Sequence, residues 1–110
     1  METFKIQTEV SKKEVESLLI NMFETSMGWA ETEASEKEFL QILEGKEVEI
    51  KDMEEEKTYT LTLDKLLKGI GLFVKHNRYY PMPLDELGTA DDVQSDMILQ
   101  YALFNELIYG

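Results

Sequence analysis

Between Lys46 and Leu63 the spacing of apolar residues changes from a helical repeat to strict alternation, and this narrows the possible folds more than any other feature of the chain. Val48 and Ile50 alternate with Glu47, Glu49 and Lys51, and Tyr59, Leu61 and Leu63 alternate with threonines. A period of two on either side of a polar run predicts an antiparallel hairpin. The connecting run, Asp52-Met-Glu-Glu-Glu-Lys57, has no Asn-Gly or Asp-Gly pair, so a longer, mobile connection is expected. Helical periodicity flanks the hairpin on both sides. The expected fold is therefore α+β, about four helices packed on a small antiparallel sheet that contains one hairpin.

Each helix has its own start and stop signals. Ser11-Lys-Lys-Glu14 is a capping box, followed by Val15, Leu18, Leu19, Met22 and Phe23 on one face, predicting a helix to about Ser26. Ser35-Glu-Lys-Glu38 is a second box, with Phe39, Leu40, Ile42 and Leu43 behind it and Gly45 as a stop about ten residues on. Thr62 or Asp64 caps a third helix with the stripe Leu63, Leu66, Leu67, Ile70, Phe73 and Val74, where Gly69 and Gly71 permit close packing. The prolines Pro81 and Pro83 interrupt it, so 77–89 reads as a loop with one helical turn at Leu84–Leu87. A last helix, from Ala90 to about Tyr109, becomes apolar nearly all round. Three short helices and one small sheet cover only part of such a helix, which predicts a homodimer or higher homo-oligomer. Phe4, Ile6, Thr8 and Val10 alternate with polar residues as a short strand.

With 110 residues and neither an internal repeat nor a linker, 1–110 is expected to form a single compact domain. The chain has no cysteine, which excludes disulfides and thiolate chemistry and fits an intracellular setting. No apolar run reaches the roughly 20 residues needed to cross a bilayer, and Met1 to Val10 has no apolar signal core. The expectation is a cytoplasmic protein with no membrane partner.

Catalytic parts are scarce. His76 is the only histidine, Ser11 and Ser35 are committed as caps, and there is no Gly-x-Ser-x-Gly turn or Gly-rich phosphate loop. A single histidine cannot build a His-x-Glu-x-x-His metal site. The chain is expected to be non-enzymatic, with no catalytic residues, no metal and no cofactor.

Charge is the feature most informative about function. Glu31 to Glu56 carries eleven acids and three lysines, a net of -8, whereas Lys65 to Leu84 carries no acid and a net of +4 in a chain of net charge -12. In the basic interval Lys75, His76, Arg78, Tyr79 and Tyr80 combine cations with aromatic rings, the ingredients for holding a phosphate and stacking a base. Trp29 could add a stacking surface. Asp92, Asp96 and Gln100 form an i, i+4 polar stripe that could meet a divalent metal or a ligand's polar edge, or simply be a solvated face. A nucleotide-type small molecule is one candidate ligand. Alternatively Glu47, Glu49, Glu54, Glu55 and Glu56 could imitate a nucleic-acid backbone and occupy a host defence protein. Both have bland counterparts: cations suited to a helix C-terminus, and acids that keep a small domain soluble. The overall negative charge argues against direct binding to duplex DNA.

The whole chain resembles a family of small acidic proteins of poorly defined function, encoded by phages, prophages and other mobile elements of Gram-positive and gut bacteria. The similarity is greatest at Thr89-Ala-Asp-Asp-Val93 and Leu99-Gln-Tyr-Ala-Leu-Phe-Asn-Glu-Leu-Ile-Tyr-Gly110, which follow a pattern of an Asp-rich helix start and then Gln-Tyr-Ala-Leu-Phe-Gly-Glu. Thr60-Leu-Thr-Leu-Asp-Lys-Leu-Leu-Lys-Gly69 also fits. Asn105 stands where the pattern has glycine. Glu24-Thr-Ser-Met-Gly-Trp29 lacks the two glycines of the usual Glu-Gly-Gly and is one residue shorter. The resemblance implies a phage accessory protein acting in counter-defence inside a bacterial host. Combined with the basic, aromatic interval, it ranks sequestration of a nucleotide-type immune signal first, and mimicry against a restriction or CRISPR effector second.

Overall fold

A computed structural model describes residues 10–76 and 84–110. Four helices pack on a three-stranded antiparallel sheet, an α+β fold as the periodicity predicts. Helix α1 (Lys12–Glu24) leads to strand β1 (Ala30–Glu31) and to helix α2 (Glu36–Leu40), which runs into a 3-10 turn at Gln41–Glu44. Strands β2 (Val48–Asp52) and β3 (Lys57–Leu61) form the hairpin, helix α3 spans Leu63–His76, a 3-10 turn spans Leu84–Thr89, and helix α4 spans Asp92–Phe104. The order in the sheet is β1-β2-β3, with Ala30 opposite Asp52 and Val48 opposite Leu61. β1 has only two residues, too short to leave a periodic trace in the sequence, and it was not expected. The expected strand at Phe4–Val10 lies, apart from Val10, outside the described residues.

The caps show how local chemistry sets the boundaries. Ser35 and Glu38 form the full reciprocal box that opens α2, and Gly45 ends the following turn with a φ of 94°. At α1 only half of the expected box forms. Ser11 Oγ accepts from Glu14 N, but the Glu14 carboxylate accepts from Gly88 N at 2.8 Å and so ties α1 to the 3-10 turn before α4. A side chain on Gly88 would collide with Glu14 and Ser17. α1 stops at Glu24, two residues before the expected end, where Thr25 adopts extended backbone and its amide returns to Met22 O. Thr62 caps α3 by accepting from Lys65 N, and Asp91 with Gln94 forms a box that starts α4 slightly later than the sequence suggests.

The core is one cluster to which all four helices and the inner face of the sheet contribute. In α3 the buried stripe is Leu66, Gly69, Ile70 and Phe73; Leu67 and Val74, expected in that stripe, are exposed. Gly69 permits the α3–α4 approach, since a Cβ there would lie 2.7 Å from Ala102 N and 2.8 Å from Ile98 O. Gly71 has open space around it and plays no such part.

α4 ends at Phe104 rather than near Tyr109, because Asn105 takes left-handed backbone with a φ of 65° and the chain turns back. Within the one chain, Ile98, Leu99, Tyr101 and Ala102 are buried, and α3, α1 and β3 pack on α4. For these residues the chain itself supplies the cover. Val93, Leu107 and Ile108 remain exposed. Among the described residues no helix is long and apolar enough to cross a membrane.

Candidate functional site

The two faces of β2 present very different chemistry. Burial alternates along Val48–Asp52, so Val48, Ile50 and Asp52 point into the core while Glu49 and Lys51 point out. Register places Glu31 opposite Lys51, and Lys51 opposite Thr58. Glu31, Glu33, Glu38, Glu47 and Glu49 line an open groove of about 550 Å³ together with Lys51 and Thr58. Glu31 and Glu49 stand on neighbouring strands, which lie about 4.8 Å apart, and Glu33, Glu47 and, from α2, Glu38 border the same groove. Of the sequence candidates, Glu47 and Glu49 belong to this groove, and Glu54, Glu55 and Glu56 are exposed in the hairpin turn beside it. That turn is short, with Asp52 paired to Lys57 and Glu56 in left-handed backbone at a φ of 55°. The expected long, mobile connection is replaced by four residues fixed from beneath: Asp52 Oδ1 accepts from Glu54 N at 3.0 Å and from Glu55 N at 3.2 Å.

Asp52 is also the centre of an interior network that sequence reasoning missed. Only 1% exposed, it accepts from the Tyr109 hydroxyl, with Oδ2 at 2.7 Å and Oδ1 at 2.9 Å. The Tyr109 ring stacks on Trp29 at 5.3 Å between centroids, and Phe104 closes the cluster 5.2 Å from Trp29. Trp29 is 5% exposed and donates through Nε1 to Asp96 Oδ1 at 2.9 Å. Gln100, 2% exposed, uses its whole amide: Oε1 accepts from Ile108 N and Tyr109 N, while Nε2 donates to Asp96 and to Tyr109 O. Burial raises the Tyr109 phenol above its ordinary pKa, and the hydrogen bond to Asp52 and the charges of Asp52, Glu55 and Glu54 raise it further.

This network engages three of the residues marked as ligand candidates, Trp29, Asp96 and Gln100, in holding the segment after α4. Asp92, at the exposed start of α4, accepts from Thr25 Oγ1 at 3.2 Å. Lys75 and His76 are exposed at the end of α3, where His76 stacks on Tyr101 at 6.0 Å. Arg78, Tyr79 and Tyr80 lie outside the described residues. Within them, the structure does not bring Trp29 and Gln100 together with Lys75 into one open cleft. Among the described residues no group of three or more Asp, Glu or His is placed to hold a metal ion.

No protein-family model, curated protein or solved structure matches the chain.

Proposed function

We propose that this chain is a non-enzymatic binding protein that acts through its acidic sheet face, occupying a basic, nucleic-acid-binding surface on another protein. In the counter-defence setting implied by the sequence resemblance, that protein is a restriction or CRISPR effector of the bacterial host. The observation that carries this reading is the groove lined by Glu31, Glu33, Glu38, Glu47 and Glu49, with the exposed turn Glu54–Glu56 beside it. Glu31 and Glu49 stand on paired strands and Glu38 on α2, so the backbone beneath them is set before binding. Preorganised like charges attract a complementary basic surface and steer its approach.

The first-ranked sequence reading, capture of a nucleotide-type signal by the basic interval, has less support. Of its residues, Trp29 and Gln100 are buried and Asp96 accepts from both, which leaves Lys75, His76 and Asp92 as the exposed described residues of that site.

The test is protection of phage from restriction or CRISPR defence, scored as plating efficiency on cells that express the chain. Converting Glu31, Glu33, Glu47 and Glu49 to Gln together is expected to abolish protection with the fold intact by circular dichroism. Lys75→Glu is expected to leave protection unchanged. The reverse pattern would return the function to the basic interval. Purified chain incubated with nucleotides or nucleic acids is expected to leave them chemically unaltered, as mass spectrometry would register.

A further inference from the structure

The hairpin turn that carries Glu54, Glu55 and Glu56 needs to be held in its conformation. Glu56 takes left-handed backbone at a φ of 55°, which is disfavoured for a residue with a Cβ, and three adjacent carboxylates repel one another. Two ties hold the turn from beneath: the Met53 amide donates to Trp29 O at 2.8 Å, and Asp52 Oδ1 accepts from the Glu54 and Glu55 amides. Both ties lead to Tyr109. Its ring stacks on Trp29, and its hydroxyl donates to Asp52, 2.7 Å from Oδ2. Among the described residues that hydroxyl is the one donor to Oδ2. Gln100 fixes Tyr109 in turn, with Oε1 accepting from Tyr109 N at 2.9 Å and Nε2 donating to Tyr109 O at 3.1 Å.

A carboxylate sealed from water is costly when one of its oxygens lacks a donor. Without the Tyr109 hydroxyl, Asp52 has to turn Oδ2 toward another donor, and the same rotation carries Oδ1 away from the turn amides. We infer that Tyr109 is a positioning residue for the acidic face: by orienting the Asp52 carboxylate, its hydroxyl keeps the backbone of Glu54–Glu56 in the shape that meets a basic partner. The inference rests on the acidic-face reading and adds its regulation, since the segment after α4 then decides whether the turn is presented. The coupling is reciprocal, so a partner that holds the turn also holds that segment.

The test uses the intact 15N-labelled chain, with an octalysine peptide at low ionic strength as the probe of the acidic face. Tyr109→Phe keeps the ring on Trp29 and loses only the donor. It is expected to lower the order parameters of the Glu54 and Glu55 amides below about 0.6, leaving those of Glu49 and Ile50 in place. Octalysine affinity is expected to fall about threefold, the cost of ordering a loosened turn on binding. In a chain with Glu54, Glu55 and Glu56 all changed to Gln, Tyr109→Phe is expected to make no further difference to octalysine, a coupling that a merely structural role would not produce. Tyr109→4-aminophenylalanine, which keeps a donor at the tip of the ring, is expected to restore both the order parameters and the affinity. If octalysine binds the parent chain and Tyr109→Phe equally well, or the loss is as large in the Gln background, the positioning role is overturned and the acidic face stands. If octalysine binds the parent chain no better than a chain with Glu31, Glu33, Glu47 and Glu49 changed to Gln, the acidic-face reading fails and takes the positioning role with it.

Discussion

β2 carries carboxylates on both faces, and the two faces use them in opposite ways. Inside, Asp52 is sealed from water and accepts from two backbone amides and the Tyr109 hydroxyl. Outside, Glu47 and Glu49 are exposed and their side chains have no hydrogen-bond partner among the described residues. A buried carboxylate that lacks donors is costly, so the inner one is committed to architecture. An exposed carboxylate costs almost nothing, so the outer ones are available for a partner. The carboxylate is the same group on the two faces; burial separates its roles.

The largest expected effect follows directly. Asp52→Ala removes the acceptor that fixes the hairpin turn and the segment after α4, and should cost about 3 kcal/mol. For a domain of this size that is a fall of roughly 12–20 °C in the thermal midpoint. Glu49→Ala, three residues away on the opposite face, should stay within about 0.5 kcal/mol of the parent chain. Asp52→Asn keeps an acceptor and should fall between the two. Denaturant unfolding of the three variants checks the ranking; a loss at Glu49 equal to that at Asp52 would erase the distinction between the faces.

An alkaline titration reads the interior side again, at smaller amplitude. In the unfolded chain the Tyr109 phenol loses its proton near its ordinary value of 10.0, whereas the folded chain holds it to higher pH. Above pH 10 the unfolded state therefore binds fewer protons than the folded one, and stability declines as pH rises; below pH 10 the contribution is complete. Tyr109→Phe should remove this part of the alkaline decline. Trp29 is the only tryptophan and stacks on Tyr109, so its fluorescence reports when the segment after α4 lets go.

Much of this division could be read from the sequence, and the parts that could not have physical reasons. The hairpin and its outward glutamates follow from a period of two, a strong signal because a shift of one residue exchanges the faces. The same alternation, carried two residues beyond Ile50, puts Asp52 on the inner face, a cue masked by the polar run that follows it. Gln100 is legible as the end of a polar stripe with Asp92 and Asp96. Its partners, the backbone of Ile108 and Tyr109, come within reach only because Asn105 reverses the chain, and an apolar run through Tyr109 looks like continuing helix. Trp29 reads in the sequence as a stacking surface, and its burial and its bond to Asp96 depend on tertiary placement.

The smallest expected effect concerns Glu38, the carboxylate that links the two behaviours. It lines the acidic groove, yet it also closes the α2 capping box by accepting from Ser35 N at 3.0 Å. The Ser35 backbone amide, with the Ser35 hydroxyl adding to it, holds the Glu38 carboxyl below its ordinary value of 4.5. A lowered folded-state value means that the ionised form stabilises the fold at neutral pH. That contribution is complete above pH 4.5 and is lost as pH falls through the lower folded-state value. Because Glu38 is exposed and α2 has one turn and a half, the effect should be a modest change in acid-side slope. Glu38→Gln preserves an acceptor for the Ser35 amide, so stability near neutral pH should stay close to that of the parent chain while the acid-side slope flattens. Ser35→Ala removes the hydroxyl that accepts from Glu38 N and should lower stability at every pH, by about 1 kcal/mol for a lost N-cap. If Glu38→Gln instead matches Ser35→Ala at neutral pH, charge rather than geometry holds the cap, and Glu38 then belongs with Asp52 among the architectural carboxylates rather than with Glu47 and Glu49.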